Sequence, residues 1–428
     1  MTKIMAKTRV LSVIMVLILA MSTIWGGCGQ DKNQTEESSS VETQDSKSGS
    51  DETDVTESSE VTSTETSEST EESKTEENKE PFVADRSAAF ALLSNIKIGW
   101  NLGNTLDCIG AGASIVSETY WGNPKTTQEM IDEIAAQGFN AVRIPVTFAE
   151  HVGKAPDYKI TEQWLNRVQE VVDYAINAGM YVMLDTHHEP DYWLIPNKDH
   201  EESAIAELTA IWTQVAERFQ DYDEKLMFEG MNEPRVKGSA SEWNGGTTQE
   251  RKVVDHLNQA FVDAVRSTGG NNETRLLIIC TYGHNPGYNI VKELAIPEDN
   301  NIAVAVHMYT PYYFTFAGEG GSFYDTWDGS DVSSIASTVK QLDKYLIQKD
   351  VPVIVSEFGA VNKGNSEEIQ KWAKDYLNVM NNYGIKCFWW DNGCFNTNGE
   401  NFGLLNRKTL TWYDKELADT LISAVAGE

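Results

Sequence analysis

The chain has 428 residues, 40% hydrophobic and 10% aromatic, enough for one large domain with segments to spare. A formal charge of −31 excludes nucleic acid as a partner, because phosphate recognition needs a basic footprint, and it disfavours anionic polysaccharides and anionic lipid surfaces equally. A neutral polymer is not repelled, and twelve Trp with sixteen Tyr suit a groove for the flat, partly apolar faces of sugar rings.

Lys3, Lys7 and Arg9 followed by the apolar run Val10 to Ala20 have the layout of a secretory signal. The stretch Ile24-Trp25-Gly26-Gly27-Cys28-Gly29 resembles a bacterial lipoprotein cleavage box, with Trp25 where an aliphatic residue is usual. Residues 1–27 therefore read as a lipoprotein-type signal peptide, and Cys28 as a lipid anchor that buries acyl methylenes in a bilayer. Simple secretion and an uncleaved anchor are the alternatives. Residues 28–80 read as a disordered acidic tether. From Asp31 to Glu80 there is no aromatic residue, and seventeen acidic residues face four basic ones, too little apolar surface to offset ordering entropy. As a flexible chain it spans about 40 Å. Of the remaining thiols, Cys108, Cys280, Cys387 and Cys394, only the last two are close in sequence, and export permits a disulfide without demanding one.

Residues 81–428 have a different texture. Strands are predicted at Lys97–Asn101, Ala141–Val146, Tyr181–His187, Leu226–Asn232, Arg275–Thr281, Ile302–Tyr309, Val353–Glu357 and Lys386–Asp391, each short and rich in Val, Ile, Leu or Met, as strands covered on both faces should be. Amphipathic helices are predicted at Glu162–Ala178, Ala204–Phe219, Glu250–Arg266, Val332–Gln348 and Ser366–Asn381, and Gly138, Gly179 and Gly384 read as helix stops. Eight strands alternating with helices fit an α/β fold, a single catalytic (β/α)₈ TIM barrel. A doubly wound open sheet is the alternative, weakened because no GxGxxG follows an early strand.

Polar and aromatic groups recur where the strands end: Asn101, Arg143, His187, Asn232 with Glu233, His307 with Tyr309, Glu357 and Trp390. A packed barrel has no structural need for them there, and barrel chemistry collects at the C-terminal ends of strands. Glu233 closes the fourth predicted strand and Glu357 the seventh. Two carboxyl groups about 5–5.5 Å apart are the requirement for glycoside hydrolysis with retention, one as nucleophile and the other as acid/base. Arg143 beside Glu357 is expected to hold it ionised, with Tyr309 donating a hydrogen bond.

The segments Ile98-Gly-Trp-Asn-Leu-Gly-Asn104, Asn140-Ala-Val-Arg-Ile-Pro145, Asp185-Thr-His-His-Glu189, Met231-Asn-Glu-Pro234, His307-Met-Tyr309, Ser356-Glu-Phe-Gly359 and Phe388-Trp-Trp-Asp-Asn-Gly393 together resemble glycoside hydrolase family five, in order and over nearly all of residues 85–420. The resemblance implies Glu233 as acid/base and Glu357 as nucleophile, Asn232 on the sugar 2-hydroxyl, Arg143 and Tyr309 orienting the nucleophile, His187 and His307 lining the cleavage subsite, and Trp390 as a sugar platform. Asn101 joins this substrate-binding set. Trp121-Gly-Asn-Pro124 is similar to the branch with endoglucanases, xyloglucanases and mixed-linkage glucanases, which adds Trp121 to the set. His188 is placed beside it, with a buttressing role for His187 as the plainer reading. Alternation along the last strand sends one of Trp389 and Trp390 inward and the other outward.

His187-His188-Glu189 lacks the HExxH spacing, so no metal is expected, and no cofactor. Trp193, Trp243, Trp327 and Trp412, like Trp121, fall in predicted loops or tails, where stacking on sugar and ordinary packing are equally open. The expected protein is a monomeric, extracellular, surface-anchored enzyme that meets the membrane through its anchor alone. Its expected activity is endo-hydrolysis of β-1,4-glucosidic bonds in cellulose-type, mixed-linkage or xyloglucan chains. A β-mannanase or xylanase, or a surface glycan-binding lipoprotein that does not cut, are the alternatives.

Overall fold

A computed structural model of the protein describes residues 82–317, 322–397 and 399–426. The signal segment, Cys28 and the tether lie outside the described residues. Eight parallel strands, β1 (Gly99–Leu102), β2 (Ala141–Val146), β3 (Tyr181–Thr186), β4 (Leu226–Glu229), β5 (Leu277–Cys280), β6 (Ile302–His307), β7 (Val353–Phe358) and β8 (Lys386–Asp391), close in sequence order, with β1 pairing β8. This is the expected (β/α)₈ barrel. All eight predicted strands occur. The fifth starts two residues later than predicted because Arg275 caps carbonyls instead: its guanidinium donates to the backbone of Phe219, Tyr222, Asp223 and Leu226.

The helices are α1 (Ser87–Ser94), α2 (Gln128–Gln137), α3 (Glu162–Asn177), α4 (Glu201–Arg218), α5 (Thr248–Ser267), α6 (Tyr288–Glu293), α7 (Tyr312–Thr315), α8 (Val332–Tyr345), α9 (Ser366–Asn381) and α10 (Lys415–Val425). The helix predicted to reach Gln348 stops at Tyr345, and a short 3₁₀ turn, Ile347–Lys349, follows. Gly138 ends α2 at φ 118°, a left-handed conformation that a side chain would strain. A small antiparallel pair, Leu405–Asn406 with Thr411–Trp412, was not anticipated; at two residues each, these strands carry no readable alternation. No helix among the described residues is long and apolar enough to cross a membrane.

Two apolar cores follow from strand alternation. Outward side chains such as Val142, Leu184, Phe228, Val304 and Trp389 pack under the helices. Inward ones, Ala141, Met183, Met227, Ile278, Ala303, Ile354 and Phe388, fill the barrel together with Ala89 and Leu93 of α1. Gly99 makes room for the largest of them: a Cβ there would stand 1.9 Å from the Phe388 ring. Two residues further along six of the eight strands the same inward face turns polar or aromatic. Period two carries Gly99 to Asn101, Ala141 to Arg143, Met183 to Asp185, Met227 to Glu229, Ala305 to His307 and Phe388 to Trp390. The site is thus the top layer of the barrel filling.

Candidate active site

Arg143, with no exposed surface, is the hub of this layer. Its Nη1 donates to Glu357 Oε1 at 2.7 Å and to Asn101 Oδ1 at 3.1 Å, its Nη2 to Asn232 Oδ1 at 2.9 Å, and its Nε to Glu229 Oε2 at 2.5 Å; Nη2 also pairs with Asp185. One guanidinium therefore serves three buried carboxylates. Burial alone would discharge the guanidinium, but Asp185, Glu229 and Glu357 more than offset that and hold it charged. The acids divide unevenly. Burial pushes Asp185 up to about 8 against the pull of Arg143, whereas Arg143 and His284 overcome burial at Glu229 and hold it well below the usual carboxylate range.

Glu233 and Glu357 face each other. One carboxylate oxygen of each, with a ring nitrogen of His307, fall within 4.8 Å of one another. His307 Nδ1 lies 2.9 Å from Glu233 Oε1 and 3.4 Å from Glu357 Oε2. Burial keeps this imidazole neutral, well below its ordinary value, so it bridges as a hydrogen-bond donor and does not compete as an acid. Tyr309 donates from its hydroxyl to Glu357 Oε2 at 2.9 Å, as anticipated.

Arg143 and Tyr309 both meet Glu357 where they were expected, but the charge of Arg143 is shared with Asp185 and Glu229. Burial pushes Glu357 up to about 8; Arg143 and the Tyr309 bond pull down, and the charge of the facing Glu233 pushes up again. Two donors, the Arg143 guanidinium and the Tyr309 hydroxyl, thus meet Glu357 and favour its anion.

Glu357 reaches the cleft through an irregularity. Val306 pairs with Val355 but His307 pairs with Glu357, so Ser356 is an extra residue in β7. Such a bulge re-aims the side chains that follow it. Glu233 is held differently. It stands just beyond β4 at φ 44°, a left-handed conformation that costs a non-glycine residue about 1–3 kcal/mol. Its N–H donates to His284 Nδ1 at 2.9 Å, which places the ring hydrogen of His284 on Nε2, where it donates to Glu229 at 3.0 Å.

The other expected residues gather here with one exception. Trp390 faces the mouth and stacks against His187, with centroids 5.6 Å apart and planes 7° from parallel. Trp389 points outward, buried, its Nε1 donating to the Phe402 carbonyl at 3.0 Å. His187 lies with Nδ1 3.0 Å from Asp185 and Nε2 3.5 Å from the Asn232 amide. His188 packs edge-on to His187 at 4.5 Å, a buttress, and Trp121 packs against His188 at 5.5 Å. Asn101 is the exception. It is sealed beneath the cleft, accepting from Arg143 while its amide faces the carbonyls of Ser356, Phe388 and Trp389; it cannot reach substrate and instead fixes Arg143. Of the loop tryptophans, Trp193, Trp327 and Trp412 tie their indole N–H groups to Glu189, Asp375 and Glu133, and only Trp243 is exposed. Cys387 is a free buried thiol, so the Cys387–Cys394 pair does not form.

Asp185, Glu229, His284 and Arg235 were not singled out in the sequence. For the first two, counting by twos from Met183 and Met227 was the available signal. Among the described residues, three clusters of His and acid donors lie close enough to hold a cation: Asp107 with His187 and His188, Glu229 with His284 and His307, and Glu233 with His307 and Glu357. Their oxygens are largely spoken for: Asp107 accepts two backbone N–H groups, and Glu229 accepts from both Arg143 and His284. The arrangement is suited to moving protons and attacking carbon.

The sequence profile of the cellulases of glycosyl hydrolase family 5 matches residues 107–396. Endoglucanase A of Ruminococcus albus is 49% identical over 337 residues, covering 78% of this chain and 92% of its own. Among solved structures, XEG5A, a xyloglucan-specific endo-β-1,4-glucanase from a metagenomic library in complex with cellotriose, is 56% identical with a TM-score of 0.78, covering 79% of this chain and 99% of its own. A family 5 lichenase from Caldicellulosiruptor sp. F32 is 39% identical with a TM-score of 0.76, covering 81% and 99%. With the barrel, the paired carboxylates and these likenesses in hand, the chain belongs to glycoside hydrolase family 5.

Proposed function

We propose that the protein is an endo-acting, retaining β-1,4-glucanase that cleaves neutral β-glucans, mixed-linkage glucan and xyloglucan among them, with Glu357 as nucleophile and Glu233 as acid/base. The observation that carries this reading is that Glu233 and Glu357 face each other with one carboxylate oxygen of each within 4.8 Å of the other, which leaves little room for an intervening water. Inverting enzymes keep theirs about 6.5–9.5 Å apart to admit a water, and retaining ones about 5–5.5 Å.

The chemistry follows from the positions. A sugar ring stacks on Trp390 with its 2-hydroxyl toward the Asn232 amide. Glu357 attacks the anomeric carbon while Glu233 delivers its proton to the departing oxygen; the carbon–oxygen bond breaks, and the sugar remains esterified to Glu357. The esterified Glu357 carries no charge, so Glu233 is free to ionise. Glu233 then takes a proton from water, whose oxygen displaces Glu357 and restores the original configuration. Tyr309 and Arg143 hold the nucleophile before attack and receive its charge on release.

The test is a reducing-sugar panel over barley glucan, xyloglucan, carboxymethylcellulose, mannan and xylan, with Glu233→Gln and Glu357→Gln beside the wild type. Glucan cleavage lost in both folded variants supports the roles; undiminished cleavage in either one refutes its role. Products from mannan or xylan alone would replace the substrate class. We further propose an extracellular enzyme anchored by lipid at Cys28. Cys28→Ser should abolish incorporation of labelled fatty acid and release the enzyme from the cell surface, and equal labelling of the variant would overturn the anchor.

A further inference from the structure

Arg235 directly follows the Met231-Asn-Glu-Pro234 segment. Arg235 is 6% exposed, too enclosed for a solvated surface arginine, and its Nη1 donates to the Glu233 carbonyl at 3.0 Å and to Glu233 Oε2 at 3.3 Å. It thus grips both the left-handed backbone and the carboxyl of one residue. Its Nε donates to Glu242 Oε1 at 3.1 Å, and the other Glu242 oxygen accepts from the Gly238 N–H at 2.7 Å, which closes the loop on itself. The ring of Trp243 lies over the guanidinium, 4.3 Å from its carbon to the centroid, and is 44% exposed. The loop is stitched to its neighbour: Val236 N–H donates to the Tyr282 hydroxyl at 2.8 Å, and Gly283 N–H to the Pro234 carbonyl at 2.9 Å.

We propose that Arg235, braced by Glu242 and roofed by Trp243, is a positioning residue that aims the Glu233 carboxyl at the leaving-group oxygen. The inference rests on Glu233 being the acid/base. Among the described residues, the ion pairs to Glu233 come from Arg235 and His307. They grip opposite oxygens: His307 lies against Oε1 and Arg235 against Oε2, so together they fix the carboxyl plane. A carboxyl held at one oxygen only swings about its terminal torsion, which is broad for Glu, and proton transfer demands a hydrogen-bond approach of about 2.6–3.2 Å. The guanidinium also holds the Glu233 carbonyl, so the strained backbone and the side chain are set by one group. Trp243 shields that guanidinium from water on one face, which strengthens both bonds.

An arginine that merely stabilised the loop would affect all substrates alike, whereas one that aims the acid matters only when the leaving group needs a proton. The experiment compares kcat/KM on dinitrophenyl and unsubstituted phenyl β-cellobiosides for the wild type, Arg235→Met, Arg235→Lys and Glu242→Gln, with Glu233→Gln as the benchmark for a lost acid. Dinitrophenolate leaves without protonation. Arg235→Met should lower kcat/KM on the phenyl substrate by roughly a hundredfold, toward the benchmark, and on the dinitrophenyl substrate by less than about threefold, within the span of general-acid contributions. Arg235→Lys should recover part of the loss. Glu242→Gln, which removes the brace and leaves Arg235 in place, should show the same selectivity more weakly, and it decides the matter if Arg235→Met does not fold. Equal losses on both substrates, or none on either, would overturn the role of Arg235. A wild type that cleaves neither substrate nor any glucan would instead overturn the proposed function beneath it.

Discussion

Arg143→Lys is the most demanding test of the buried charge layer, because it keeps the charge and removes the geometry. The guanidinium reaches five partners in five directions: Glu357, Asn101, Asn232, Glu229 and Asp185. An ammonium has three donors, so at least two partners lose theirs in a region without solvent. Each charge-assisted bond contributes about 1.5–3 kcal/mol, which puts the loss at roughly 3–6 kcal/mol. Domains of this kind are stable by about 5–15 kcal/mol, so the variant should fold but unfold at markedly lower denaturant. Activity should change in a characteristic way as well. Arg143 is the strongest influence lowering Glu357, which burial already pushes up to about 8. Weakening it raises the pH at which Glu357 ionises, so the acidic limb of kcat/KM moves to higher pH, tenfold in rate for each pH unit on that limb. Urea unfolding and a pH profile on barley glucan measure both effects. A variant with the wild-type midpoint and an unmoved acidic limb would show that Arg143 is not the hub.

Gly99→Ala should destabilise by about 1–3 kcal/mol or more, since its Cβ meets the Phe388 ring at 1.9 Å in a filled barrel; an unchanged melting temperature would mean that the ring is not packed there. His284→Ala leaves the Glu233 N–H without its acceptor at a cost of about 1–3 kcal/mol, and kcat should fall because the left-handed backbone of Glu233 loses its support; wild-type kcat would count against that support. Burial pushes Asp107 up to about 7 and Glu189 to about 8, above their unfolded values, so the folded state binds more protons than the unfolded one. The stability contributed by these two is complete below the unfolded values and lost as pH rises through the folded ones, so the urea midpoint of the wild type should fall relative to that of an Asp107→Asn, Glu189→Gln double variant between about pH 5 and pH 8; a difference between the two that does not shrink with pH would contradict the assignment.

The barrel was legible because each strand carries a run of branched apolar residues covered on both faces, and because the polar residues change the pattern where the strands stop. The hydrophobic signal fades at ends, which is why Arg275 and Gln348 were drawn into elements they do not join. Within the site, side chains on regular strand were readable in principle, including the unassigned Asp185 and Glu229. Asn101 was misjudged for a reason that position alone cannot reveal. It stands at a strand end on the inward face, yet the neighbouring chain closes over it, and its hydrogen bonds go to β7, β8 and Arg143. Arg235 and His284 sit in loops, where no period relates a residue to its partner, and their partnership with Glu233 exists only once the chain has folded.

Glu357 shows most clearly where periodicity stops being a guide. Ile354 belongs to the barrel filling and Val355 to the outer core, so strict alternation would face Ser356 inward and Glu357 outward, beneath the helices. The structure has Glu357 against Arg143 inside the mouth and Phe358 in the outer core, an inversion made possible by the unopposed Ser356. A regular strand would have buried this carboxylate among apolar side chains, away from both Arg143 and Tyr309. The extra residue breaks the ladder locally, yet Asn101 recovers part of the loss by donating to the Ser356 carbonyl at 3.0 Å. Asn101 thus supports Glu357 twice, through the bulge that turns it inward and through the guanidinium that meets it there, although Asn101 itself is sealed from the cleft. The two glutamates reach one cleft by separate departures from regular backbone, a bulge in β7 and a left-handed residue after β4, each held by hydrogen bonds to buried side chains, Asn101 at the bulge and His284 and Arg235 at Glu233.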